Sequence, residues 1–167
     1  MRLDAKLGHN FDSGGTAVTQ PPETLYNRDF YLWTKSTAKL LKERNFSEVD
    51  IVNLVEEIES LGRREKRELK NCLIVLLMHL LKWKYQPGKR SESWRSTISD
   101  RRIYLELLLE DNPSLKPFLP EVFDNCYQKA LVKAANETGI RQDIFSPESP
   151  FTPEETLTFE YFPEATD

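Results

Sequence analysis

One segment of the chain, residues 63–85, leaves few choices for the fold. Its hydrophobic residues first recur with helical spacing and then continue without interruption through Leu73–Met78. A helix that is apolar on every side has to be surrounded by other elements, so this segment is predicted to lie at the centre of the domain. The longest apolar run, Cys72–Leu81, has ten residues and contains His79, whereas a helix that spans a bilayer needs about 20 residues. A buried core helix is therefore favoured over a membrane span.

Four further segments carry the spacing of apolar side chains that is typical of amphipathic helices. They cover approximately residues 27–44, 47–62, 91–111 and 122–138. Strand patterns are scarce, so the predicted fold is all-α, a bundle of about five helices with an irregular, acidic C-terminal arm. Gly62 separates two of these segments. Because glycine costs a helix interior about 1 kcal/mol relative to alanine, a kink or a short break is expected there.

Length and composition divide the chain into three stretches. Its 167 residues fit one domain, for which roughly 100–200 residues are typical. Residues 1–22 mix glycine, proline and polar residues with little apolar periodicity and are predicted to be a flexible N-terminal extension. Residues 23–141 are predicted to form the helical bundle domain. Residues 142–167, rich in proline, aromatic and acidic residues, are predicted to be an arm docked on that bundle, with one short helix starting at Thr152–Glu155.

The distribution of charge along the chain is more informative than its total. The chain has 23 Lys and Arg against 27 Asp and Glu, a formal net charge of -4. Residues 62–102 nevertheless hold twelve basic and four acidic residues, a net charge of +8, while the arm carries seven acids and no base. A basic central surface attracts an acidic partner or a nucleic acid, and the chain's own acidic arm can equally close it.

Missing motifs exclude the commonest enzyme classes. The sequence has no GxGxxG, GxxxxGK[ST], HExxH or GxSxG pattern, so dinucleotide-binding, P-loop, zincin and serine-hydrolase sites are not indicated. The two cysteines, Cys72 and Cys126, are too few for a disulfide framework, and neither belongs to a CxxC pair. No cofactor and no metal ion are expected. A reducing, cytoplasmic location is favoured because the N-terminus also lacks the apolar segment of a signal peptide.

The first candidate site is an acidic turn of the second helical segment, formed by Glu56, Glu57 and Glu59 and preceded by Asn53. Helical spacing places Glu56 and Glu59 on one face, where oxygen ligands on successive turns would suit a hard cation such as Mg²⁺. The favoured alternative is a solvated charged face stabilised by pairs such as Glu59 with Arg63, because no second helix offers further ligands. Glu56 and Glu57 remain catalytic candidates.

The second candidate is His79, the one histidine inside a predicted helix. It lies on the same face as Cys72, but seven residues at ~1.5 Å each separate the two by about 10 Å along the axis. That distance is too long for one metal ion or for a nucleophile pair. A hydrogen-bonded residue at a helix interface is therefore the favoured interpretation of His79, and a catalytic role is the alternative.

The third candidate is residues 82–95, in which basic and aromatic side chains alternate. Cations neutralise phosphates, aromatic faces stack on unpaired bases, and a helix start offers free N–H groups to an anion. In the favoured interpretation, Trp83 and Trp94 are core anchors at helix ends and the acidic arm neutralises the basic surface, and anion binding is the alternative. The predicted anion-binding residues are Lys82, Lys84, Lys89, Arg90 and Arg95.

An ordered series of motifs resembles one known family. The motifs are Leu25-Tyr26-x-x-Asp29-Phe30-Tyr31-x-Trp33, Asn53 through Gly62, Leu76 through Trp83 with Gln86-Pro87, Ser93-Trp94-Arg95 and Pro113-Ser114-Leu115. From about Leu25 to Pro163 the chain is similar to the bacterial family catalogued as domain of unknown function 29, which is abundant in cyanobacteria. The resemblance implies an all-helical cytoplasmic protein with no established activity, so no functional residue is carried over from it.

Two functions remain compatible with these features. The favoured one is a non-enzymatic intracellular interaction module, monomeric or homodimeric, whose basic central surface binds an acidic protein, a nucleic acid or its own arm, with no membrane partner. The alternative is an enzyme, or a domain that binds an anion or a divalent metal. Its site residues would be Asn53, Glu56, Glu57, Arg64, His79 and Arg95. Such a site requires these side chains to converge within about 4 Å on one pocket or ion.

Overall fold

The structure, a computed structural model, describes residues 24–166, and the regular secondary structure of these residues is entirely helical. In chain order the helices are α1 Leu25–Arg28, α2 Phe30–Lys42, α3 Ile51–Tyr85, α4 Glu92–Asp111, α5 Phe118–Thr138 and α6 Pro153–Leu157. The all-α prediction is therefore confirmed, and four long helices fit the predicted bundle. The predicted extension of residues 1–22 lies outside the described residues, and the boundaries proposed for the bundle and the arm stay predictions.

The chain divides into two compact units, Met1–Val55 and Glu56–Asp167. In the first unit, α2 begins at a side-chain cap, because a carboxylate oxygen of Asp29 accepts the backbone N–H of Leu32 at 2.9 Å. Trp33 is buried and packs against the rings of Tyr26 and Phe30, whose centroids lie 4.9 and 5.6 Å away. An aromatic cluster thus joins α1 to α2.

The second unit is built around the C-terminal half of α3. The apolar stretch that the sequence places at the centre, Leu73–Met78, is buried apart from the half-buried Val75. One hydrophobic core joins this stretch to apolar residues of α4 and α5 and to Phe145 and Phe151 from the C-terminal residues. Within the described part of the chain, no helix is long and apolar enough to cross a bilayer.

Helix α3 runs through Gly62 without a break, so of the kink or short break expected from the sequence, the break does not occur. The penalty of about 1 kcal/mol for one glycine is small for a helix of 35 residues that is anchored in a core at its other end. Ion pairs also bridge the glycine, since Arg63 lies 2.8 Å from Glu56 and 3.4 Å from Glu59. The second and third predicted helices are therefore one element.

A tight turn connects α3 to α4 and brings their ends together. Pro87–Lys89 form a single 3₁₀ turn, and the hydroxyl of Ser91 then caps α4 by accepting the backbone N–H of Trp94 at 3.3 Å. Further along the chain, the predicted short helix is present as α6. Thr152 and Glu155 begin it with reciprocal side-chain to backbone hydrogen bonds of 2.9 and 3.1 Å.

Candidate functional site

The junction of α3 and α4 carries all five predicted anion-binding residues. Lys82 and Lys84 lie in the last turn of α3, Lys89 and Arg90 in or beside the connecting turn, and Arg95 in the first turn of α4. We call these five residues the junction cluster. Residues 142–166, called the arm below, contact three of its members: Lys84, Arg90 and Arg95.

The most extensive contact between the helices and the arm is made by Arg102 of α4, which the sequence analysis does not single out. Its side chain is only 1% exposed. The guanidinium donates to the backbone carbonyls of Thr156 at 2.9 Å, Phe159 at 2.9 Å and Tyr161 at 2.7 Å. Burial lowers the pKa of Arg102 to about 10, so the group is still charged at neutral pH. One buried cation thus fixes three points of the arm.

Phe162 provides a second attachment of the arm. Its ring centroid lies 4.8 Å from that of Trp83, and the guanidinium groups of Arg95 and Arg102 lie 4.8 and 5.4 Å from the same Phe162 ring. Arg95 also lies over the Trp83 ring at 5.2 Å. Cation–π contacts of this kind gain strength where water is excluded. Phe162 is therefore held by a set of one indole and two guanidinium groups.

Arg90 and Lys84 of the junction cluster again donate to backbone carbonyls of the arm, and Thr166 of the arm donates its N–H and its hydroxyl to the carbonyl of Lys84 at 3.2 and 3.3 Å. Arg90 donates through Nε to the carbonyl of Trp83 at 2.9 Å and through Nη2 to the carbonyl of Pro163 at 3.4 Å. The ammonium group of Lys84 donates to the carbonyl of Glu164, also at 3.4 Å. Arg90 and Lys84 therefore bind the main chain of the arm.

The acidic side chains of the arm make no salt bridge with this basic region. Among the described residues, no ion pair joins an arm carboxylate to a cation of residues 62–102. Asp143 pairs with its neighbour Arg141, and Glu160 acts on Arg102 only by opposing the fall of its pKa. The arm thus contacts the basic surface with carbonyl groups and aromatic rings, and the carboxylates that pair with this surface, Glu56, Glu59, Glu92 and Glu137, come from the helices.

Two members of the junction cluster, Lys82 and Lys89, form no hydrogen bond, ion pair or cation–π contact with the described residues of the arm. Lys82 is buried, where its ammonium group lies 2.7 Å from a carboxylate oxygen of Glu137 and 4.6 Å from the ring centroid of Trp94. This lysine serves the packing of α3 against α5 and is closed to an external anion. Lys89 is exposed in the connecting turn.

His79 is a half-buried residue of α3, as the favoured interpretation expects. Its Nδ1 lies 2.9 Å from the carbonyl of Val75 one turn earlier in the same helix. Burial lowers the pKa of His79, the positive charge of Lys82 acts in the same direction, and the hydrogen bond to Val75 opposes them. The imidazole is therefore neutral at pH 7, and Nδ1 is the protonated nitrogen because it donates to a carbonyl.

The residues of the alternative site do not meet. Glu57 and His79 belong to one continuous helix, in which 22 residues at ~1.5 Å each place them about 33 Å apart. Glu56 pairs with Arg63, and Arg64 is exposed on the same helix. In the first unit, Asn53 donates its side-chain amide to Asp50 at 2.6 Å. An enzyme site that unites the acidic turn with His79 is thus incompatible with the helix.

Metal-ligating and nucleophilic groups are also scattered or masked by packing. Within residues 24–166, no three His, Cys, Asp or Glu side chains are grouped as a metal site would require. Both cysteines are buried free thiols, and the Sγ atom of Cys72 lies 3.4 Å from the carbonyl of Arg101. Burial raises the pKa of Cys72 to about 11 and raises the pKa of Cys126, so both remain protonated and unreactive at neutral pH.

A cavity of about 350 Å³ opens beside the guanidinium of Arg102. Its lining residues come from α4, the start of α5 and the arm: Arg102, Glu106, Leu109, Glu110, Lys116, Leu157 and Phe159. The three hydrogen bonds of Arg102 to the arm use all three of its guanidinium nitrogens. The cavity therefore lies at the edge of the arm contact, and the remaining charged residues of its lining are Glu106, Glu110 and Lys116.

Comparison with known proteins gives one match. The family model described as domain of unknown function DUF29 matches residues 25–162, a span that includes all six described helices and the arm as far as Phe162. No curated protein and no solved structure matches the chain.

Proposed function

This chain belongs to the family described as domain of unknown function DUF29, a description that states no activity, and we propose from its own contacts that it is a non-enzymatic interaction module. In this proposal, Lys84, Lys89, Arg90 and Arg95 of the junction cluster bind, together with Arg102, an acidic, aromatic segment of another polypeptide. The arm occupies the site when no partner is bound.

The observation that carries the proposal is the chemistry of the arm contact. Arg90 and Arg102 bind main-chain carbonyls of the arm, and Arg95 lies against Phe162. Backbone carbonyls and an aromatic ring are what any extended peptide can offer to the same groups. The site thus has the donors and the aromatic surface that a peptide needs, and the groups that bind the arm form the proposed binding site.

The charge of the region supports an acidic partner. Residues 62–102 have a net charge of +8, and the described ion pairs give them no arm carboxylate as counter-ion. A partner with carboxylates opposite the exposed Lys89 and the half-exposed Arg95 would form charge-assisted hydrogen bonds that the arm does not form. An acidic segment can therefore compete with an arm that is present at a high effective concentration.

An acidic protein is favoured over a nucleic acid because the ring of Trp83, on which a base would stack, is already covered. Nucleic-acid binding requires exposed rings on which bases can stack, whereas Trp83 is buried and covered by Phe162. The alternative function, an enzyme or a small-ligand site built on Glu57 and His79, lacks comparable support because these residues lie about 33 Å apart along α3.

The remaining parts of the proposal concern location and assembly. We propose that the protein works in the cytoplasm, as its resemblance to a bacterial and largely cyanobacterial family implies, and without a membrane partner. Its two cysteines are free, which is typical of proteins from a reducing compartment. The module is proposed to be a monomer or a homodimer.

The test measures binding of a fluorescent peptide that alternates glutamate and phenylalanine, by anisotropy at low salt. Phe162→Ala loosens the arm and is expected to tighten peptide binding about tenfold, because the competing segment is weakened. Arg95→Glu is expected to weaken binding of the same peptide about tenfold by reversing a charge at the site. Lys133→Glu, an exposed position of α5, is the matched charge-reversal control.

Three outcomes would overturn the proposal. The first is the absence of peptide binding by every variant at low salt, with folding verified by circular dichroism. The second is an equal loss of binding in Lys133→Glu and Arg95→Glu, since the effect would then reflect net charge alone. The third is tighter binding of a single-stranded oligonucleotide than of the peptide, which would assign the surface to nucleic acid.

A further inference from the structure

The stripe of α3 that faces the core continues beyond the part of the helix that the core covers. Ile58, Leu69 and Leu76 lie at i, i+11 and i+18, three and five full turns apart on one helix face. Leu69 and Leu76 are completely buried, whereas Ile58 is 59% exposed and its neighbour Leu61 is 61% exposed. We call residues 56–68 the open half of α3 and residues 69–83 the covered half. The open half therefore presents Ile58 and Leu61 as exposed apolar side chains on this face, with the half-buried Glu65 between them and Leu69.

Gly62 lies beside this stripe and is not required by the packing of the chain. It follows Ile58 by four residues, which places it on nearly the same face. A Cβ atom added at Gly62 would meet no other atom within 4 Å. Glycine is unfavourable inside a helix, yet it allows a second backbone to approach closely. This position is thus suited to contact with another chain.

The net charge of the open half changes sign at the same point, from -3 before Gly62 to +2 after it. Glu56, Glu57 and Glu59 precede Gly62, whereas Arg63, Arg64, Lys66 and Arg67 follow it together with the half-buried Glu65 and Glu68. On the helix, Glu59 and Arg63 fall on one flank of the apolar stripe, while Glu57 and Arg64 fall on the other. Two such helices in antiparallel orientation place acids opposite bases on both flanks. A parallel pair would place the acids of the two copies together.

We propose that a second copy of this chain packs antiparallel against the open half of α3, with the two-fold axis beside Leu61 and Gly62. Such an interface is isologous, so one patch complements itself. Glu59 then faces Arg63 of the second copy, and the ion pairs that Arg63 makes within its own helix are shared across the axis. Because the patch covers only a few helical turns, the dimer is weak and depends on concentration. This surface lies apart from the proposed peptide site at the other end of α3.

The first test is sedimentation equilibrium of the full chain over a concentration series. The wild-type chain is expected to form a reversible dimer, and Leu61→Glu is expected to raise its dissociation constant at least about tenfold by placing like charges at the axis. Leu107→Glu is the matched control, since Leu107 is 53% exposed on α4. A wild-type chain that stays monomeric at every concentration overturns the proposal, as does an equal effect of the two substitutions.

The second test separates association from folding. Gly62→Ala is expected to raise the melting temperature, because alanine favours the helix, and to raise the dimer dissociation constant about fivefold through crowding at the axis. Glu59→Arg and Arg63→Glu are each expected to weaken the dimer, and an equal mixture of the two variants is expected to restore it as a heterodimer. A mixture that remains monomeric contradicts the antiparallel arrangement.

Discussion

The covered and open halves of α3 share one helix and one apolar stripe but differ in what surrounds them. In the covered half, Leu73 and Leu80 are completely buried in the core formed with α4 and α5. In the open half, Ile58 and Leu61 occupy the same stripe and remain largely exposed. Helical periodicity thus defines the face that can be buried, and the neighbouring elements decide how much of that face is buried in one chain.

This difference separates stability from recognition in the second unit. Apolar area contributes to folding only where it is removed from water, at roughly 25 cal/mol per Å². The covered half supplies this contribution from apolar burial. Its C-terminal end also binds the arm, because Trp83 packs against Phe162. The open half buries less apolar area, since Ile58 and Leu61 are exposed, and its end next to the covered half contacts α4 and α5 through Glu68 with Tyr104 and Lys66 with Phe118. The following experiments test this division.

The largest effect is expected from truncating a leucine in the covered half. Leu73→Ala should lower the free energy of unfolding by about 3 kcal/mol, because it removes buried methyl groups and leaves a cavity. Ile58→Ala, the same kind of truncation in the open half, should change it by less than about 0.5 kcal/mol. Urea unfolding at low protein concentration measures both. Similar losses for the two variants would mean that the open half is also covered in the folded monomer.

A smaller effect is expected when the arm loses its buried cation. Arg102→Met should lower the free energy of unfolding by about 2 kcal/mol, since three arm carbonyls lose charged donors while the apolar stem is kept. Arg64→Met, an exposed arginine of the open half, is the control and should be nearly neutral. Chymotrypsin should also cut Arg102→Met faster after Phe159 and Tyr161. Unchanged cleavage would show that Arg102 is not what holds the arm.

The sequence predicts the helices better than the contacts between them. Apolar spacing identifies the long helices because burial of a helix face leaves a local periodic signal. The prediction of a break at Gly62 is wrong, because the free energy that one glycine costs a helix is small compared with the stabilisation of a long helix by its packing. The error has a functional consequence: a break at Gly62 would have allowed Glu57 and His79 to approach each other, and the continuous helix separates them.

The candidate site is predicted only in part, for a similar reason. The junction cluster is close in sequence and is visible as alternating basic and aromatic residues. Arg102 contacts carbonyls 54 to 59 residues away, which no local pattern reports. One signal was present, because Arg102 falls between Ile98 and Leu105 in the apolar stripe of α4, where a charged side chain needs a partner.

The pH dependence of stability is expected to reflect His79 of the covered half. Its pKa is lowered in the folded state, so the unfolded chain binds a proton more readily. The contribution of His79 to the free energy of unfolding is fully present above the ordinary histidine pKa of about 6.5. It is lost as the pH falls through the lower pKa of His79 in the folded chain. Urea unfolding between pH 7 and pH 5 should therefore show a decline that His79→Gln reduces. An identical decline in the variant would assign it to other groups.

The smallest effect on the free energy of unfolding is expected from the ion pairs of the open half, and it tests the difference between the two halves of α3 most directly. Arg63 lies 2.8 Å from Glu56, yet both side chains are more than half exposed. Such pairs are screened by salt and contribute little, so Arg63→Met should change the free energy of unfolding by less than about 0.5 kcal/mol. The same substitution should weaken dimer formation in sedimentation equilibrium, because it removes a charge on each side of the axis. A loss of folding stability without a loss of association would reverse the roles assigned here to the two halves of α3.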